Sequence, residues 1–262
     1  MSSSSAELRD LWVVVTRPAH QADDIAKRIE DAGGRVIRFP VIEIKPPRYV
    51  DRLRNVLQRL PEFDWLIFIS ANAVTMGMKA MVETRSGKSH AKIATVGIQT
   101  ARALRQAGWR VDLVARPPFN SEALLCEPQM KQVDGLRILI FRGEGGRELL
   151  RESLEKRGAL VEYAECYRRA PASVDLTFLD RAWPQNQPVV IMVTSAEGLN
   201  NLVEALGGKR HGRLTGTPLL APGQRVAQSA RDKGWLAPVI VAKNATDDAM
   251  LAALHAWHHR FR

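Results

Sequence analysis

Val96-Gly97-Ile98-Gln99-Thr100-Ala101 is followed by Gly108-Trp109, and Pro222-Gly223-Gln224-Arg225-Val226-Ala227 is followed by Gly234-Trp235. In both stretches the second glycine stands eleven residues after the first. Working outward, the same doubling extends over most of the chain. Leu11-Trp12-Val13-Val14-Val15 with Thr16-Arg17-Pro18 parallels Ile138-Leu139-Ile140-Phe141 with Arg142-Gly143. Arg17 and Arg142, Gly33 and Gly158, Val36 and Val161, and Ser70 and Ser195 are each 125 residues apart; Gly97 and Gly223 are 126 apart. One insertion across four registers marks a duplicated chain.

Each copy alternates short β-branched runs with stretches of helical spacing, as in Ile25, Ile29 and Ala32, or Leu150 and Leu154. Ser70 and Ser195 stand where a strand ends and a helix begins. Gly33, Gly108, Gly158 and Gly234 follow helix ends, and Ser121 and Thr246 open the last helix of each copy. This alternation predicts α/β architecture with two flavodoxin-like, doubly wound parallel-sheet domains, whose ligands bind beyond the carboxyl ends of the strands.

Two segments read differently. Val36 to Ile44 runs into Pro46-Pro47, and Leu160 to Tyr167 runs into Pro171, each after a single strand and helix of its copy. They predict a two-stranded antiparallel connector in place of ordinary core strands. If the chain crosses over at both, one domain holds residues 1–38 plus 172–262 and the other holds 43–166, with connectors at 39–42 and 167–171. The rival division, one domain per copy, would fall near residue 130.

The net charge of +10 favours an anionic partner. Its even spread, with only three tyrosines, speaks against a nucleic-acid groove, which needs a basic stripe and stacking aromatics. No apolar run approaches the roughly 18–20 residues that span a bilayer. Met1 to Asp10 is polar with four serines and no apolar signal core. A cytoplasmic protein without membrane association is expected. Cys126 and Cys166 form no CxxC pair and read as buried thiols. His255, His258 and His259 fall near the end of an amphipathic helix and read as surface residues, so no metal site is expected.

The run Arg142-Gly143-Glu144-Gly145-Gly146-Arg147-Glu148-Leu149-Leu150 leads from a strand into a helix and can present backbone N–H groups to an anionic oxygen. A plain tight turn is the alternative. A dinucleotide fingerprint would need a third glycine where Glu148 stands.

Taken in order, Thr16-Arg17-Pro18, Ile69-Ser70-Ala71-Asn72-Ala73-Val74, Val96-Gly97 with Thr100-Ala101, the run from Arg142 to Leu149, Cys166-Tyr167-Arg168-Arg169, Thr194-Ser195, Arg225-Val226-Ala227 and Gly234-Trp235 resemble the uroporphyrinogen-III synthase family. The resemblance covers nearly the whole chain. It implies a cofactor-free cyclisation of hydroxymethylbilane in tetrapyrrole biosynthesis. The terminal hydroxyl leaves as water, the last pyrrole ring attacks through its substituted carbon, and a spiro intermediate reopens and recloses with that ring inverted. The uncatalysed bilane closes without inversion, so positioning should carry most of the catalysis.

The resemblance also implies a tetrapyrrole held between the domains largely by main-chain donors, and it agrees with the crossed-over domain plan. Tyr167 takes the family's tyrosine position; a phenol is protonated at neutral pH and can donate to the departing hydroxyl. Packing of a hinge is its other possible role. Ser70, Thr100 and Ser195 fall where the family places cleft-facing hydroxyls, with Ala71, Asn72 and Ala196 beside them. Gly143, Gly145 and Gly146 are candidate main-chain donors. Arg17, Arg142, Arg147 and Arg225 are candidate partners for the substrate's eight carboxylates, Arg225 standing one residue before the position symmetric with Thr100. A monomer is expected, with transient contact to hydroxymethylbilane synthase. The competing reading is a cytosolic two-domain binding protein for an anionic small molecule, since venus-flytrap receptors share the two-domain plan.

Overall fold

The computed structural model describes residues 7–86 and 89–260. Most of the polar amino-terminal stretch, residues 1–6, lies outside the described residues. Among the described residues there are eleven strands: β1 Trp12–Val15, β2 Arg35–Arg38, β3 Ile42–Lys45, β4 Trp65–Phe68, β5 Lys92–Thr95, β6 Leu113–Val114, β7 Arg137–Gly143, β8 Leu160–Pro171, β9 Val189–Met192, β10 Leu219–Ala221 and β11 Val239–Val241. The helices are α1 Asp23–Asp31, α2 Val50–Gln58, α3 Ala71–Glu83, α4 Ile98–Gln106, α5 Ser121–Cys126, α6 Pro128–Lys131, α7 Leu149–Glu155, α8 Leu176–Ala182, α9 Ala196–Ala205, α10 His211–Thr215, α11 Gln224–Asp232 and α12 Asp247–Arg260.

The chain divides into two compact units, Met1–Glu43 with Ala170–Arg262, and Ile44–Arg169. In the first, the strands lie in the order β11-β10-β9-β1-β2, with every pair parallel. Numbered along the unit this is 2-1-3-4-5, the flavodoxin order. Val13, Val14 and Val15 point alternately to opposite faces, yet all are buried, so both faces are covered. One face packs Val13, Val15, Val190 and Leu220 against Ile25 and Ile29 of α1 and Met250, Leu251 and Leu254 of α12.

The second unit repeats the plan with its strands permuted along the chain: β3-β8-β7-β4-β5-β6. Leu66, Phe68, Leu139 and Phe141 face Leu53, Val56 and Leu57 of α2, Val74 of α3 and Leu104 of α4. The alternate residues Trp65, Ile67, Ile138 and Ile140 face Leu124 and Leu125 of α5, Met130 of α6 and Leu150 and Leu154 of α7. The period-two alternation of buried residues thus separates two helical layers, which makes the unit doubly wound.

Several expectations need correction. The proline-stopped segments are for most of their length ordinary sheet strands. β2 pairs residue by residue with β1, and β8 with β7 from Leu160 through Tyr167. Buried Ile37, Val161, Ala164 and Cys166 explain why these positions stay in the sheets. Asn120, not Ser121, caps α5, its Oδ1 accepting from the Ala123 N–H at 2.8 Å. Cys126 is exposed; only Cys166 is buried. His258 is also buried, on the side of α12 carrying Leu251 and Leu254, and it meets the Arg9 carbonyl oxygen at 3.3 Å.

Candidate functional site

In each unit the strand order reverses at one place, and there the crossover helices leave on opposite faces and open a crevice at the carboxyl ends. In the second unit that place lies between β7 and β4. Ser70 follows β4 in extended conformation and caps α3, its Oγ accepting from the Ala73 N–H at 3.1 Å. Gly143 ends β7. Tyr167 stands opposite Gly143 on β8, just past a shift in the β7–β8 register. A Cβ on Gly143 would lie 2.7 Å from Cε2 and 2.8 Å from Cζ of Tyr167. The missing side chain lets the ring lie across the end of β7, and its hydroxyl reaches Ser70 Oγ at 3.1 Å. Tyr167 is otherwise buried among Phe68, Phe141 and Cys166. Burial pushes the Cys166 thiol up to about 12, so it stays a neutral packing group that meets the Arg142 carbonyl oxygen at 3.3 Å.

The loop after β7 is built around Arg142. Its side chain is only 3 % exposed, although an arginine at a strand end reads as an outward cation. Nε donates to the Gly143 carbonyl at 3.2 Å, Nη2 to the Gly145 carbonyl, and Nη1 to Glu148 at 3.0 Å. The guanidinium also lies 4.3 Å from the centre of the Tyr163 ring. Arg142 therefore serves the loop and is not displayed to an incoming carboxylate. With carbonyls turned inward, Gly145 and Gly146 are exposed in left-handed conformation (φ 72° and 105°). Their N–H groups have no partner among the described residues. That arrangement suits an anionic oxygen.

Tyr163 of β8 packs on this loop and bonds Glu148 within it, and it escaped the sequence reading. The Tyr163 hydroxyl donates to Glu148 at 2.7 Å. Burial, followed by that carboxylate, pushes the phenol up to about 12, and the Tyr163 hydroxyl holds the Glu148 carboxyl below the usual carboxylate range, with Arg142 adding to the effect. Tyr163 lies four residues before Tyr167, a spacing that carries no motif, so only the fold reveals its partner.

In the first unit the reversal lies between β1 and β9. Ser195 caps α9, its Oγ accepting from the Gly198 N–H at 3.0 Å. Ala196 begins α9, as Ala71 begins α3. Arg17, just after β1, is held by Asp247 and donates to the Ala245 carbonyl at 3.0 Å. Arg225, in the first turn of α11, is exposed and makes no ion pair among the described residues.

Three residues sit otherwise than expected. Thr100 is a mostly buried residue of α4, beside Ala101 and Leu104. Asn72 is buried in α3 and already has a partner. Arg147 is exposed but paired with Glu122 at 2.6 Å. A cavity of about 950 Å³ in the second unit is lined by Met81, Lys92 and Trp109 at the amino end of β5, the end where such sheets do not bind ligands. No group of three or more metal-ligating side chains occurs among the described residues, and no described helix is long and apolar enough to cross a membrane.

Comparison with known proteins identifies the family. Residues 23–252 match the family model for uroporphyrinogen-III synthase HemD. The Escherichia coli uroporphyrinogen-III synthase is 32% identical over 244 residues, covering 92% of this chain and 99% of that protein. The enzyme of Synechococcus elongatus is 31% identical over 254 residues, covering 94% of each. Among solved structures, uroporphyrinogen-III synthetase from Helicobacter pylori superposes with a TM-score of 0.61 at 16% identity, over 95% of this chain and 100% of that one. A mutant uroporphyrinogen III synthase from Thermus thermophilus gives 0.57 at 21% identity, over 96% and 100%. These structures support the fold, and the sequence matches decide between an enzyme and a binding protein. The chain belongs to the uroporphyrinogen-III synthase family.

Proposed function

We propose that this chain cyclises hydroxymethylbilane to uroporphyrinogen III with Tyr167 as the acid for the departing hydroxyl. The observation that carries the assignment is the convergence of Ser70, Gly143 and Tyr167 at the strand reversal of the second unit. Tyr167 gives its proton to the leaving oxygen, which departs as water. The azafulvenium cation left behind is attacked by the substituted carbon of the last ring, and the spiro intermediate opens and recloses with that ring inverted. The final closure releases one proton from a pyrrole carbon, which returns the phenol to its starting state. Net consumption of acid is zero, so no cofactor is needed.

The exposed N–H groups of Gly145 and Gly146, the first turns of α3 and α9 with Ala71 and Ala196, and the exposed cations Arg147 and Arg225 are the donors proposed for carboxylates. Arg17 is a further candidate, available if substrate displaces Asp247. A net charge of +10 supports a substrate with eight carboxylates. Because the free bilane closes by itself to the uninverted isomer, a monomer that works in the cytoplasm in transient contact with hydroxymethylbilane synthase fits the chemistry.

The test is product identity. Purified protein, dialysed against a strong chelator, is fed freshly generated hydroxymethylbilane, and the oxidised porphyrins are separated. Type III isomer is expected to predominate. Type I alone, or type III only after metal is restored, would overturn the proposal.

A further inference from the structure

We infer that Ser70 is a positioning residue for Tyr167, not a ligand of the substrate, and that duplication left this role in only one of two otherwise matched helix caps. The inference rests on the proposed acid role of Tyr167. Ser70 and Ser195 are equivalent by the 125-residue repeat. Both are extended, both begin a helix, and both accept an N–H three residues on, at 3.1 and 3.0 Å. Their surroundings differ at one decisive place. The residue 125 positions before Tyr167 is Ile42, and Pro18 stands where the second copy has Gly143. In the first unit the initial turn of α9 therefore packs on an aliphatic chain: a Cβ on Gly198 would meet Ile42 Cδ1 at 3.7 Å. In the second unit the cap serine meets a phenol at 3.1 Å.

Either hydroxyl can be the donor in the Ser70–Tyr167 contact, and Ser70 is taken as the donor because Tyr167 gives its own hydrogen to the departing oxygen. Ser70 Oγ already accepts from Ala73, which leaves its own hydrogen to give. As Tyr167 passes its proton to the departing oxygen, negative charge grows on Tyr167 Oη, and a donor already in place there stabilises it without reorganisation. The Ser70 hydroxyl is that donor. Gly143 holds the ring at the correct height, since any side chain there would displace it. Among the described residues Ser195 has no such partner to serve, so its hydroxyl is left to cap α9 or meet a carboxylate.

The matched pair supplies its own control. S70A and S195A each remove one cap and should each lower the urea midpoint, S70A somewhat more because its bond to Tyr167 is lost as well. Rates are then measured for S70A, S195A, Y167F and the two double variants. S70A should lower kcat about tenfold, the loss of one hydrogen bond at the transition state, with little change in KM. S70A/Y167F should be no slower than Y167F within about twofold, because the two groups act as one, whereas S195A/Y167F should show the product of its single effects. S70G, since glycine caps a helix far better than alanine, replaces S70A if that variant is poorly folded.

Multiplicative losses for S70A and Y167F, or a loss in S70A confined to KM, would overturn the inference while leaving Tyr167 as the acid. Full turnover in Y167F would remove both.

Discussion

A methyl group on Gly143 would stand 2.7 Å from the Tyr167 ring, closer than any relaxed side chain can approach. Gly143 was singled out in the sequence as a backbone donor; its lack of a Cβ proves at least as important, because it seats the ring. That contact depends on the register shift between β7 and β8, which no local spacing announces. Arg142 teaches the same lesson: its identity was legible, but its burial follows from a loop that folds around it. The acidic side of this loop titrates. Glu148 is held below the ordinary carboxylate range by the Tyr163 hydroxyl first, then by Arg142. A lowered folded value contributes stability above the ordinary carboxylate value, and that contribution is lost as pH falls through the folded one. E148Q should therefore unfold at lower urea than the parent at pH 7, the gap closing as pH falls below about 4. The half-exposed carboxylate is partly screened by solvent, so the gap should be modest. A gap that stays constant from pH 7 to pH 3 would show that the ion pair does not stabilise the loop.

At the scale of elements, α3 carries Ser70 at its start and Gly77 at its centre. Phe68 and Phe141, paired across β4 and β7, stack with ring centres 4.3 Å apart and planes 9° apart. Gly77 lets α3 settle onto them; a Cβ there would stand 2.8 Å from Phe141 Cδ1. Helix propensity alone would favour alanine by about 1 kcal/mol. Overpacking against two buried rings costs about 1–3 kcal/mol. The packing term should win, and G77A should have a lower urea midpoint than the parent. A higher midpoint would mean that the layer yields easily and that Gly77 has no packing role. The repeated strand–helix pairs and the two serine caps were readable from period and punctuation, whereas α2 and α8, which follow the proline-stopped segments, were not. The cap of α5 was misplaced by one residue because Asn120 and Ser121 are both good caps and only backbone geometry separates them.

On the scale of the molecule, each compact unit combines parts of both copies. β1 and β2 join β9, β10 and β11, while β7 and β8 join β4, β5 and β6. The chain passes from one compact unit to the other within the two proline-stopped segments. What they hid is that β2, and β8 from Leu160 through Tyr167, also pair within their sheets, since extended residues look alike in a connector and a strand. We propose that the units fold independently, with 44–169 as an inserted domain. Limited proteolysis that cuts near residues 40 and 168 should leave this middle segment as a stable fragment, and recovery of two halves divided near residue 130 would refute the assignment. The claim on which the functional account turns is that the site at the end of β4, β7 and β8 directs ring inversion through Tyr167. The most direct test compares the porphyrin isomers formed by the parent protein and by Y167F from the same hydroxymethylbilane preparation. The account predicts mainly type III isomer from the parent. For Y167F it predicts a slow reaction that drifts toward type I as unassisted closure overtakes it, with stability lowered by only about 0.5–1.5 kcal/mol. Parent-like rate and isomer ratio in Y167F would contradict it.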